Sequence, residues 1–163
     1  MNWELSHRFD PRAVKLANRH YNRQKPLTNQ FVPPGRCIVL LSTNADALWT
    51  SSFPMFARHA WVGSWVCTLF RNESPILSSK LITEALAVTR WLWGEPPSLG
   101  MITFINPARI KPTQKPGWCF RKAGWKEIGQ TQIHKLITLQ IAPEQMPDPS
   151  PPHTYQMSLF HEF

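Results

Sequence analysis

The chain has 163 residues, of which 42% are hydrophobic and 12% aromatic, with eighteen Lys and Arg against ten Asp and Glu; this suits one domain and excludes a disordered polymer. No run of about 18 apolar residues could span a bilayer, and Met1 to His7 lacks the basic-then-apolar pattern of a secretion signal. Three scattered cysteines, Cys37, Cys67 and Cys119, form no CxxC pair, which argues against structural zinc and for a cytoplasmic chain with reduced thiols. Every Lys and Arg precedes residue 143, seven of them within 1–36 and six within 106–126. A positive body of this kind suits a polyanion, most simply nucleic acid, although a merely basic soluble protein has the same arithmetic.

Asp10-Pro11 reads as an N-cap followed by proline at the first helical position, and Val14, Ala17 and Tyr21 continue at +3 and +4, which predicts a helix over 10–23. Cys37–Leu41 and 47–53 read as strands joined by a turn at 43–46, and Trp61–Phe70 as a long buried strand. Ser74-Pro75 repeats the capping pattern, and Leu77, Leu81, Ala85, Val88 and Leu92 mark a helix over 75–93 that Gly94 closes. Leu99–Ile105 reads as a buried strand. Lys115-Pro116-Gly117 opens a short helix that Gly124 ends, and 128–131 and 136–141 are closing strands. The order predicts an α/β (α+β) domain over 1–142, a single mixed sheet with helices on both faces. Residues 143–163 differ: five prolines within 143–152 predict an extended tether outside the core, leading to the apolar cluster around Met157, Leu159 and Phe160. That cluster either meets a partner or folds back on the body.

Polar groups concentrate at three element ends. Arg19-His20-Tyr21-Asn22-Arg23 closes the first helix; His20 can serve as acid, base or ligand, and Tyr21 as proton donor or core residue. Arg71-Asn72-Glu73-Ser74 joins the long strand to the main helix, where free amides, with Ser78 and Ser79, can hold an anion. Glu73 is there either a base for an amine or a helix-capping carboxylate. Asn106 ends the next strand, and the loop after it carries Arg109, Lys111 and Lys115, a set suited to phosphates, followed by Arg121. Trp118, Phe120 and Trp125 can stack a base turned out of a duplex, or fill the core. No GxxxxGK[ST], HExxH, GxSxG or paired CxxC occurs.

The order of Arg19-His20-Tyr21, Asn72-Glu73 with Ser78-Ser79, Phe104-Ile105-Asn106 and the run Gly117–Trp125 resembles the GNAT acyltransferase fold, and is similar to the Mom-type DNA modification proteins of bacteriophages. The resemblance covers residues 10–142. It implies a transferase that adds a carbamoylmethyl group to the exocyclic N6 of adenine and blocks restriction, with His20, Tyr21, Asn72, Glu73 and Asn106 as catalytic candidates. It further implies an acyl-CoA-like donor, with Arg71, Ser78 and Ser79 as its contacts, or iron at the His20-Tyr21 pair. Asn106 and Phe120 stand where an aspartate and a tyrosine are expected, and the Gly-x-Gly/Ala pyrophosphate loop is missing after Phe70. Arg19, Arg23, Arg109, Lys111, Lys115, Trp118 and Arg121 are the candidate DNA contacts. Independently, Gln156-Met157-Ser158-Leu159-Phe160 resembles the peptide by which bacterial proteins bind the sliding clamp. The implied protein is a monomer in the host cytoplasm, partnered by DNA and the clamp and by no membrane. A GNAT enzyme acting on a small amine and a non-catalytic DNA or clamp binder are the alternatives.

Overall fold

The structure, a computed structural model, describes residues 1–20, 30–54 and 59–153. Seven strands form one mixed sheet: β1 (Trp3–Leu5), β2 (Arg36–Ser42), β3 (Ala47–Phe53), β4 (Trp65–Asn72), β5 (Met101–Ile105), β6 (Lys126–Gln130) and β7 (Ile137–Ile141). Their spatial order is β1-β2-β3-β4-β5-β7-β6. Every neighbouring pair is antiparallel except β4 and β5, which run parallel. The helices are α1 (Pro11–Ala17), α2 (Ser78–Trp93) and α3 (Trp118–Lys122). No helix among the described residues is long and apolar enough to cross a membrane, and all three cysteines are free.

Alternation along the strands builds two cores. On β2, Ile38 and Leu40 join Trp49, Leu81, Ala85 and Phe120 beneath α2 and α3, while Val39 and Leu41 join Leu48 and Leu69 beneath α1. Helices therefore cover both faces. The two-residue period breaks on β4, where Cys67 belongs to the first core and Leu69 to the second. Cys67 faces Ser51 and Leu69 faces Thr50, so Thr68 is the extra residue of a β-bulge, which reverses the faces that follow it.

Several expected boundaries move for identifiable reasons. α1 stops at Ala17: the Arg19 and His20 amides already bond three residues back, to the Leu16 and Ala17 carbonyls (3.1 and 3.0 Å), and the Arg71 guanidinium takes the Arg19 carbonyl at 2.6 Å, while 21–23 lie outside the described residues. α2 begins at Ser78 rather than 75: the Asn72 side chain captures the Ser74 amide (2.9 Å) and the Ile76 carbonyl (2.7 Å), making a turn where a first helical turn was expected. β1 carries no periodic signal in three residues; Trp3 holds it by donating its indole N–H to the Leu81 carbonyl of α2.

The proline-rich segment is also corrected, as far as residue 153. Met146 is buried in the main core, Arg90 donates to the Pro147 carbonyl (2.8 Å) and the Ser150 amide donates to the Ala87 carbonyl (3.1 Å). The segment opens with a 3₁₀ turn over Pro143–Gln145 and is docked on α2, because Met146 buries apolar surface that a free tether would leave in water. Residues 154–163, with Gln156, Met157, Leu159 and Phe160, lie outside the described residues, as do Tyr21 and Arg23. Met146→Ala is expected to lower unfolding stability by about 2–3 kcal/mol in chemical denaturation; no change would mean that the segment does not belong to the folded unit.

Candidate active site

β4 and β5 pair over three positions only, Trp65 with Met101, Val66 with Ile102 and Cys67 with Thr103. Both strands continue beyond that point, β4 along β3 to Asn72 and β5 along β7 to Ile105. They therefore diverge, and the Thr103 hydroxyl caps the Cys67 carbonyl (3.0 Å) where pairing ends. The gap between their carboxyl ends is a cavity of about 700 Å³, at the position where open sheets with parallel strands bind ligands.

Its walls come from four elements. Thr68, Leu69 and Phe70 line the β4 side, Thr103, Phe104 and Ile105 the β5 side, His20 arrives from the turn after α1, and Lys115, Gly117, Trp118 and Cys119 close the mouth from the loop and start of α3. Gly117 is required there twice over, by a φ of +72° and because a Cβ would meet Leu139 Cδ1 at 2.3 Å.

His20 is kept neutral. Burial lowers its pKa to about 4, the Arg71 charge pushes the same way, and a hydrogen bond with the Phe70 backbone opposes both. Arg71 belongs to a cluster that fixes this corner: Arg19 grips Glu73 with two bonds of 2.7 and 2.8 Å, and Arg71 binds the same carboxylate. The two guanidiniums hold the Glu73 pKa at about 2, so Glu73 is a poor proton acceptor and acts as a buttress for the turn bearing His20. Asn72 is structural too, its amide wholly occupied by Ser74, Ile76 and Ser78. Asn106 caps the 3₁₀ turn Pro107–Arg109 through the Ala108 amide. Of the five catalytic candidates, only His20 lines the cavity among the described residues.

The donor contacts implied by the resemblance fit poorly. Arg71 and Ser78 are committed to Glu73 and Asn72, Ser79 sits half-buried in the first turn of α2, and the Ser74 and Ile76 amides bond within their own loop. With no glycine there and two amides already satisfied, this loop does not make a pyrophosphate cradle. No three His, Cys, Asp or Glu side chains cluster among the described residues, and Tyr21, half of the pair to which the resemblance assigns iron, lies outside them.

The cationic candidates separate. Arg109, Lys111 and Lys115 are exposed and make no ion pair within 4 Å among the described residues. Arg121 is engaged, donating to the Pro116 carbonyl (2.8 Å) and lying 3.6 Å from Glu127. Of the aromatics, Trp118 is 56% exposed, whereas Phe120 and Trp125 are buried and pack edge-on at 5.0 Å. Lys122, absent from the sequence-derived set, places its ammonium 4.8 Å from the Trp118 ring. Comparison with protein-family models, curated proteins and solved structures finds no match.

The unfolded chain binds a proton at His20 near pH 6.5 and the folded one only near 4, so stability falls as the pH drops through that window. His59, its pKa also lowered by burial, adds in the same direction. His20→Gln is expected to flatten the stability curve between about pH 6.5 and 4.5, measured by denaturant titration; an unchanged slope would show that His20 is not desolvated.

Proposed function

We propose that the protein is a GNAT-like transferase that modifies DNA bases, with the exocyclic N6 amine of adenine as acceptor. The observation that carries this reading is the cleft between the splayed strands, lined by the neutral imidazole of His20, by the Trp118 indole and by Lys115, from a loop that also carries Arg109 and Lys111. The single parallel pair, the bulge on β4 and the helices on both faces support the GNAT-like part of it.

The chemistry follows from the wall residues. Arg109, Lys111 and Lys115 meet phosphates as unpaired surface charges, which positions a strand without reading its sequence. Trp118, backed by Lys122, offers a flat face to a base that has left its stack. A cavity of about 700 Å³ has room for a purine together with the reacting part of a donor. An adenine amine is weakly basic until it forms its new bond, after which its proton is strongly acidic. A neutral imidazole of low basicity suffices to take that proton, and this assigns proton acceptance to His20.

DNA isolated from cells expressing the protein is expected to yield, on enzymatic digestion, a deoxyadenosine of raised mass. His20→Ala should abolish it, and Trp118→Ala should lower it by about tenfold. Unmodified nucleosides from a folded, expressed protein would overturn the enzymatic reading. They would favour a second one, a non-catalytic nucleic-acid binder, which the self-bonded loop after β4 supports. A small-amine acyltransferase leaves the cationic loop without a purpose.

The tail adds a partner. Gln156, Met157, Leu159 and Phe160 would anchor the enzyme to the bacterial sliding clamp, and the docked segment through residue 153 gives that peptide a fixed starting point. Tethering would raise the local DNA concentration without any sequence contact. Replacing Leu159 and Phe160 with Ala should abolish clamp pull-down while leaving the melting temperature unchanged; equal capture of both proteins would exclude this route.

A further inference from the structure

Three hydroxyls meet at the bulge that turns β4. Thr50 Oγ1 and Ser52 Oγ, two residues apart on β3 and both buried, lie 2.6 Å and 3.5 Å from Oγ1 of Thr68, which also lines the cavity. Counting protons fixes the direction of these bonds. Among the described residues, Thr68 is the only hydrogen-bond partner of the Thr50 and Ser52 hydroxyls, and a buried O–H without an acceptor is costly. Both therefore donate to Thr68, whose oxygen has two lone pairs to receive them. The Thr68 proton is excluded from that side and left for the cavity, and the bonds its oxygen accepts strengthen the one it can give. On the opposite strand wall the Thr103 hydroxyl has already committed its proton to the Cys67 carbonyl (3.0 Å). His20 hydrogen-bonds the backbone of Phe70, two residues beyond Thr68, so the imidazole is anchored about 7 Å along the strand from this hydroxyl.

Resting on the base-modification reading above, we propose that Thr68 is a specificity-determining residue, whose hydroxyl donates to an acceptor ring nitrogen flanking the amine on which the transferase acts. The N6 amine of adenine has such a nitrogen on either side, N1 and N7. A hydroxyl donor beside His20 holds amine and acceptor in one pose, so a base in the cavity is placed and checked at a single edge. Because the buried pair on β3 fixes its direction, Thr68 cannot turn round to accept. A ring position bearing N–H, such as N1 of guanine, would set one donor against another and be refused.

The test titrates the full chain, by fluorescence anisotropy, against short labelled oligothymidylate single strands that carry one adenine, one 1-deazaadenine or one 7-deazaadenine. The wild type is expected to bind the adenine strand about tenfold more tightly than at least one of the deaza strands, and the strand that loses affinity identifies the edge that Thr68 reads. Thr68→Val should reduce that preference to less than about twofold, whereas Thr68→Ser, which keeps the hydroxyl, should retain it. Thr68→Ala makes the same comparison if valine does not fold at the bulge. The ratio compares two ligands on one protein, so a general loss of stability leaves it unmoved. Wild-type affinities within twofold for all three strands, or a preference that survives removal of the hydroxyl, would overturn the role of Thr68. A wild-type protein that binds none of the strands would instead overturn the nucleic-acid reading on which that role rests.

Discussion

Two neighbouring parallel strands that stop pairing after three residues leave backbone donors and acceptors facing each other across a gap, a costly arrangement unless each strand is held from its other side. Here β3 holds β4 to Asn72 and β7 holds β5 to Ile105, so neither strand frays and the gap persists as a cavity. The bulge at Thr68 turns β4 at the same level, and the Thr103 hydroxyl satisfies the last shared carbonyl. The rest of the site is arranged around that separation, with His20 supplied from the turn after α1, Lys115 from the loop leading to α3 and Trp118 from the first position of α3.

Charge then sorts the rim into two kinds of residue. Arg19 and Arg71 share the single Glu73 carboxylate, which leaves a net charge of +1, and hold the turn bearing His20; their geometry is part of the fold. Arg109, Lys111 and Lys115 have no acid within reach among the described residues, in a stretch from 106 to 126 that contains no Asp or Glu. Lys115 lines the cavity and the other two lie in the same loop; exposed cations of this kind gain little for stability and much for binding an anion. The neutral state of His20 has a related origin, since the Arg71 charge and burial both disfavour an imidazolium there.

Within the polar stretches, residue type alone did not separate function from scaffolding. Glu73 read either as a base or as a helix-capping carboxylate and Asn72 as a catalytic candidate, whereas both side chains are engaged in hydrogen bonds that hold their loop. Trp118 and Trp125 lie seven residues apart in one aromatic run, yet one is exposed and the other buried, because α3 is only five residues long and Gly124 turns the chain back into β6. Lys122 was invisible as a partner of Trp118 until that short helix set the two side chains one turn apart.

The sequence by itself determined the elements whose signals are local: the Asp10-Pro11 cap, the turn at 43–46, the apolar period of α2 and the glycine stops at 94 and 124. It also determined the distribution of charge, which needs no fold to be counted. The tertiary structure alone decided the single parallel pair and its early end, the bulge at Thr68, the Trp3–Leu81 hydrogen bond that holds β1, and the docking of Met146 and Ser150 on α2. These depend on contacts between residues tens of positions apart, such as Arg71 with Arg19 or Thr103 with Cys67. No local period records them, because the free energy of such a contact exists only once both segments are already in place.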